Sequence, residues 1–332
     1  MLTINYQSYG DTLGFWESNT NLWKAWYFEK KLKDAGYTTM KSRNSCFYGE
    51  NRELHIIAQE SQSFGSDYFV SVHSNAHDLG KTTNYPSFFI KGYTGNESTP
   101  GSIAGCKSMW PYIWDIWAGG MEYNTAYSAT NMAIIGGLSM NGWDYGVLNY
   151  QSRPSTLAEG YFHTYQPSRH RAMNFDVDRL EGIDYARGVA DYYGIQKENV
   201  GDIYGIVRDK HTKFQHDLYK PNAAGSDMYK PLNGVKVVLY NEAGDSIADY
   251  VTDVNYNGVF IFRDLVPGVY TVKFSHPEYK DGITYTSTNV TAENEEIKLE
   301  VKAATVNYNK VFLENIAYEP PAIVYVNYPD SL

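Results

Sequence analysis

No stretch of this sequence comes near the roughly 20 consecutive apolar residues that a membrane-spanning helix needs, so no span is expected in its 332 residues. Basic clusters are missing as well. Lys and Arg are scattered and outnumbered, for a formal charge of −10. That argues against nucleic acid or an anionic membrane surface as partner, because both reward basic patches. Cysteine is scarce: Cys46 and Cys106 are the only two. They have no metal-like spacing and fit one disulfide as well as two lone thiols, which leaves the redox compartment open. No secretory leader is visible, since Met1 runs straight into LTINYQSYGD.

What is abundant is tyrosine, at 31 residues. Its flat apolar face and polar tip suit wet interfaces and sugar-binding surfaces; a tyrosine-rich habit of secreted β-rich proteins accounts for it equally. The chain is long enough for two ordinary domains, and its texture changes near Gly201. Before that point helical and extended patterns alternate. SNTNLWKAWYFEKKLKDAGY (18–37) sets Leu22, Ala25, Trp26, Leu32 and Ala35 on one helical face, with Ser18, Asn19 and Thr20 as capping candidates and Gly36 as its end. YTTMKSR (37–43) reads as a strand, and a shorter helix follows around Arg52–Gln62. DYFVSVHSNA (67–76) reads as a strand that ends abruptly in His73, Ser74 and Asn75. YPSFFIKG (85–92) and STLAEGYF (155–162) are further strands. The segment 101–119 reads as a helix interrupted or restarted at Pro111, and 179–195 as an amphipathic helix. The expected fold of 1–198 is α/β: three layers, with a mostly parallel twisted sheet and helices on both faces.

From Gly201 onward, short β-runs are separated by Gly, Asn, Asp and Pro turns, the spacing of an all-β sandwich. PLNGVKVVLYNEAG and TDVNYNGVFIFRDLVPGVYTVKFSHPEY resemble the transthyretin-like, carboxypeptidase-regulatory-like sandwich family over 201–303. No constellation of acids, bases or ligands stands out there, so a structural or spacing role is expected. Residues 304–332 read as a linker and the opening strand of a further β-domain, PPAIVYVNYPDSL.

The chemistry gathers before residue 195. DYFVSVHSNA, GFWESNTNLWKAWYFEKKLKDAGYTTMKSR and RPSTLAEGYFHTY together resemble the zinc-dependent N-acetylmuramoyl-L-alanine amidases of the cell wall. The shared pieces are a Glu-opened helix with an Ala-Gly-Tyr turn, a strand ending Ser-x-His-x-Asn-Ala, and a Pro-x-x-Leu-x-Glu-Gly-aromatic strand. All three stand in the family's order, over about 10–195. The resemblance implies that Glu17 and His73 are zinc ligands, that Glu159 is the catalytic carboxylate, and that Asn75 orients His73 or the substrate. The residue types suit that chemistry. A hydrolytic zinc takes three protein ligands and keeps a position for water, and a nearby carboxylate moves the proton.

One departure is plain. The family's first zinc ligand is a His in a Gly-His-Gly turn upstream of the glutamate, and no His precedes Glu17 here. The simplest expectation is a chain that begins inside the amidase domain and is clipped at both ends. The alternatives are a variant that no longer binds zinc tightly, or a substitute ligand such as His77 or His163, which otherwise read as ordinary loop or surface histidines. A lone His at a strand end or a Glu at a helix start is usually no more than a satisfied polar group. Glu159 is harder to dismiss, because a carboxylate inside an apolar strand is costly unless paired, metal-bound or catalytic.

The resemblance therefore implies a peptidoglycan hydrolase that takes peptidoglycan or muropeptides and is exported to the periplasm or cell envelope. The competing readings are a degenerate amidase fold that binds wall polymer or glycan without cutting it, and a related zinc hydrolase with another substrate. Tyr85, Phe88, Trp110, Trp114, Trp117 and Trp143 are candidates for a substrate groove. Trp110, Trp114 and Trp117, however, fall at helical spacing and read more simply as packing.

Overall fold

The computed structural model describes residues 15–319, apart from 47, 51, 79–80, 120–126, 215–220, 222–224, 288–290 and 295. Seven helices are described: α1 (Glu17–Asp34), α2 (Leu54–Phe64), α3 (Ser102–Trp114), α4 (Gly137–Asn141), α5 (Gly146–Asn149), α6 (Gln166–Ala172) and α7 (Phe175–Tyr193). A four-stranded sheet runs among them in the order β1-β6-β2-β5, from β1 (Phe69–Asn75), β6 (Ser155–Phe162), β2 (Ser87–Ile90) and β5 (Ile134–Gly136). The pairs β1/β6 and β2/β5 are parallel and β6/β2 is antiparallel. Two-residue strands β3 (Gly92–Tyr93) and β4 (Asn96–Glu97) form a separate ribbon.

Side chains alternate across the sheet, as the pleat requires. Val70, Val72, Phe88, Ile90 and Ala158 pack toward the layer that holds α1, α3 and α7. Phe69, Phe89 and Leu157 pack the other way, against Ile57 of α2 and Val147 and Leu148 of α5. Trp110, Trp114 and Trp117 are buried in the larger core, with Trp110 stacked on Trp114 and Trp117 stacked on Tyr161. They are packing residues, and so is the fully buried Phe88. Of the aromatic groove candidates, Trp143 is exposed and Tyr85 half-buried.

Three expectations on the α/β part are corrected. Residues 37–43 are not a strand: Lys41 and Thr39 spend their side chains on Glu29 of α1, and Arg43 donates to the Ser18 carbonyl. No neighbouring strand among the described residues offers that segment a ladder. Helix α3 continues through Pro111 and widens into a π-type turn at Asp115–Gly119. Of the two readings left open for the cysteines, the structure has the lone thiols, Cys46 exposed and Cys106 buried.

The third correction concerns α1. Its buried stripe is Glu17, Thr20, Asn21 and Lys24, with Leu22, while Trp26 is 40% exposed and Ala35 is exposed. The stripe is polar because α1 lies almost backbone to backbone against α7. A Cβ at Gly182 would stand 2.3 Å from the Lys24 carbonyl oxygen and 3.1 Å from Phe28 N. Gly182→Val is therefore expected to push α1 off α7 and to cost about 3 kcal/mol, read as a lower urea midpoint with an unchanged slope.

The C-terminal part is a sandwich of two sheets. One has the order β10-β9-β12-β15, from β9 (Lys236–Tyr240), β10 (Ser246–Val251), β12 (Gly268–Ser275) and β15 (Glu296–Val301). The other has the order β11-β7-β16-β13-β14, with β8 (Tyr229–Pro231) beside β7; its strands are β7 (Gly201–Lys213), β11 (Val259–Leu265), β13 (Tyr279–Ser287), β14 (Thr291–Asn294) and β16 (Val306–Asn315). Strand β16 pairs in parallel with β7, so the sandwich extends past 303 into residues expected to be a linker. The opening strand expected in PPAIVYVNYPDSL lies outside the described residues.

Strand β7 is buried on both faces. Ile203 and Val207 enter the sandwich core, whereas Tyr204 and Ile206 join the core of the α/β part. Val259 and Ile261 of β11 and Tyr308 of β16 do the same, while Phe260, Phe262, Val311 and Leu313 face inward. The second sheet is thus a shared layer between two cores.

Candidate active site

Strand β1 carries His73 to its carboxyl end, where the parallel register sets it opposite Glu159 of β6. Helix α1 begins at Glu17, directly over that strand end. Glu17 Oε1 lies 3.4 Å from His73 Nδ1 and accepts from the Ser74 amide and from Asn21 Nδ2, both at 3.2 Å. The structure therefore brings Glu17, His73 and Glu159 together from three separate elements. A helix start suits an acid at position 17, because the unpaired amides there favour negative charge.

The charges of the three are interlocked. Burial pushes the Glu17 carboxyl up, but the hydrogen bond and charge of His73, the charge of His163 and the Ser74 amide outweigh it and bring the pKa to about 2. Burial pushes His73 down, and the Glu17 bond with the charges of Glu159 and Glu17 more than reverses that. Glu159 is raised to about 7, mainly by burial, with Glu17 and Glu181 adding to the rise and His73 and Lys24 opposing it. Its Oε2 is buried without a hydrogen-bond partner. A carboxyl held near neutrality with a free oxygen suits proton transfer.

Asn75 bonds to the neighbouring strand rather than to His73. Its amide donates to Ser87 Oγ and its oxygen accepts from Ala76 N, so it ties β1 to β2. The hydroxyl that meets His73 is Ser71, with Oγ 2.9 Å from Nε2. The Ser-x-His spacing carried that signal, since residues i and i+2 of a strand share a face. His77 is exposed and its Nδ1 accepts from Asp78 N, away from the cluster. His163 is buried, 2.9 Å by Nδ1 from Ser74 Oγ and stacked on Phe15.

Behind the site lies a buried polar cluster that periodicity did not reveal. The Lys24 ammonium is 3.0 Å from Glu181 Oε2 in an ion pair without hydrogen-bond alignment, and 4.6 Å from the Tyr161 ring centroid. Trp117 Nε1 donates to the same Glu181 oxygen at 2.7 Å. Asp178 is wholly buried with both carboxylate oxygens unpartnered, and burial pushes its pKa well up.

As a metal site the cluster is two donors strong. Ligands about 2.0–2.1 Å from a tetrahedral zinc stand about 3.4 Å apart, the separation between Glu17 Oε1 and His73 Nδ1. No group of three His, Cys, Asp or Glu among the described residues has metal-holding geometry. The donor chemistry and spacing fit zinc, and the described residues supply two of the three protein ligands that a hydrolytic zinc takes.

The model of the SdrD B-like domain family matches residues 221–319. No curated protein matches the chain. Among solved structures, the chain is similar to the catalytic domain of CwlV, an N-acetylmuramoyl-L-alanine amidase of Bacillus (Paenibacillus) polymyxa var. colistinus, at 17% identity over 55% of this chain and 87% of that one, with a TM-score of 0.44. It is similar also to the amidase AmiC2 of Nostoc punctiforme, at 18% identity over 55% of this chain and 86% of that one, TM-score 0.44. For an N-acetylmuramoyl-L-alanine amidase of Clostridium difficile 630 the values are 20% identity, 55% and 87% coverage, and a TM-score of 0.43. The chain thus joins an α/β part to a β-sandwich, of which residues 221–319 match the model of the SdrD B-like domain family.

Proposed function

We propose that the α/β part hydrolyses the amide between N-acetylmuramic acid and the L-alanine of the peptidoglycan stem peptide, with Glu159 as the acid and base. The observation that supports this most is the meeting of Glu17 and His73 at 3.4 Å, in strand register with a buried carboxyl whose Oε2 has no partner. The substrate class follows from the three sequence motifs, and it places the working chain outside the cytoplasm. No helix among the described residues is long and apolar enough to cross a membrane.

Glu17 and His73 would hold the zinc. Bound there, zinc lowers the pKa of a water toward about 7 and polarises the substrate carbonyl. Ser71 fixes the His73 ring through Nε2, and the Ser74 amide and Asn21 fix the Glu17 carboxylate. Glu159 Oε2 takes the proton of the attacking water and returns it to the leaving alanine nitrogen. Its burial keeps bulk water from taking over that role.

A second reading, a wall-binding module without catalysis, is favoured by the two-donor count among the described residues. Zinc content separates the two. After zinc addition and dialysis, about one zinc per chain is expected, lost in His73→Ala, together with new amino termini on alanine when purified sacculi are the substrate. Sacculus binding with neither zinc uptake nor new amino termini overturns the hydrolase reading.

A further inference from the structure

We propose that the junction between the α/β part and the sandwich holds a small inorganic anion, of the chloride class, between Arg171 and Arg208. Arg171 comes from α6 and Arg208 from β7, and both are at most 2% exposed. They share a single carboxylate: Asp227 Oδ1 accepts from Arg171 Nη1 at 2.8 Å and from Arg208 Nη2 at 2.6 Å. Its other oxygen accepts from Tyr165 Oη at 3.0 Å, and Arg171 Nη2 donates to Ser168 Oγ. Among the described residues, two guanidiniums against one carboxylate leave one positive charge in excess. The donors left over are Arg171 Nε and Arg208 Nε and Nη1, beside the hydroxyl of Tyr204, all buried and without a partner among the described residues.

The neighbouring arginine makes the contrast. Arg187, equally buried on α7, meets three carboxylates: Asp184 at 2.9 Å, Glu198 at 2.9 Å and, across the same junction, Asp202 at 2.7 Å. There anions outnumber the cation. The cluster of Lys24, Glu181 and Asp178 is also unbalanced, in the acidic direction, and carboxyls correct that by keeping a proton. A guanidinium has no such route, because it does not deprotonate in a protein. Buried excess positive charge with unused N–H donors calls for an anion. The described groups around it are buried, Tyr165 and Tyr204 included. That selects a monoatomic ion, which enters during local opening, over an oxyanion carried on a larger molecule.

The test uses the full chain. Thermal unfolding is followed at constant ionic strength while sodium gluconate is replaced by sodium chloride, and crystals are soaked in bromide for anomalous scattering. Chloride is expected to raise the melting temperature saturably, by about 4 °C, and bromide to appear within hydrogen-bond reach of the Arg208 guanidinium. Arg208→Gln leaves Arg171 balanced by Asp227 and is expected to abolish the chloride dependence. Equal melting in the two salts, the same chloride dependence in Arg208→Gln as in wild type, or a soaked crystal with no bromide at the junction would each overturn the proposal. If Arg208→Gln does not fold, the wild-type bromide map decides alone.

Discussion

Glu159→Gln is expected to lower alanine-amide hydrolysis by about a thousandfold, within the range that positioned proton transfer contributes, while the protein folds as before. Gln keeps the shape of the side chain, and Glu159 Oε2 has no hydrogen bond to lose. Melting should therefore stay within about 2 °C of wild type, a shift of about 1 kcal/mol for a chain this long. The kinetic signature matters as much as the size of the drop. A group that acts only in the transition state lowers kcat and kcat/KM together and leaves substrate binding alone. Hydrolysis of sacculi at the wild-type rate by Glu159→Gln would remove Glu159 from the mechanism, and a parallel loss of sacculus binding would make it a recognition residue instead.

The largest effect on stability is expected at Lys24. Its ammonium is wholly buried, paired with Glu181 at 3.0 Å and placed over the Tyr161 ring. Lys24→Met keeps most of the aliphatic volume and removes the only cation of a cluster whose carboxylates are Glu181 and Asp178. Breaking a buried pair from one side costs about 3–5 kcal/mol, to be read by guanidinium chloride unfolding. The pH dependence has a definite sign. Burial already holds Asp178 and Glu181 above the usual carboxylate range, and loss of the lysine raises them further. Groups that bind protons more tightly when folded lose stability as pH rises above the unfolded carboxylate pKa of about 4. The deficit of Lys24→Met should therefore be smallest near pH 4 and grow toward neutrality. Lys24→Met combined with Glu181→Gln should recover part of it, and a deficit independent of pH would show that packing, not charge, is what Lys24 supplies.

The two effects belong to one region. Glu159 looks toward His73 and Glu17, and Lys24 lies on the same helix as Glu17, two turns on. Gly160 connects them: a Cβ there would meet Glu181 Oε1 at 2.3 Å. The glycine after Glu159 thus lets the buried cluster approach the strand that carries the proposed base.

Some of this was legible in the order of residues alone. Strand β6 occupies the residues expected of it, 155–162, because a Pro-led apolar run with alternating faces has few other solutions. The meeting of Glu17, His73 and Glu159 was implied by the resemblance of three motifs, which put them at a helix start, near a strand end and within a neighbouring strand. Period and composition also announced the change to a β-sandwich near Gly201. The polar face of α1 was hidden, because a buried lysine looks like a surface lysine until its partner on α7 is in place. The Ser71–His73 contact is visible in the spacing, which sets both side chains on one face of the strand.

What the sequence by itself determined, then, is local: most of the segments that are helix or strand, and the motifs that carry Glu17, His73 and Glu159. Only the tertiary structure decided what is shared. The second sheet serves two cores because Tyr204 and Ile206 point away from Ile203 and Val207, and alternation along a strand says that two faces differ without saying what covers each. Burial decides as well that Lys24, Arg187, Arg171 and Arg208 are interior charges. Their energetics depend on partners up to 157 residues away in the chain, as Lys24 is from Glu181, and no local pattern encodes that distance.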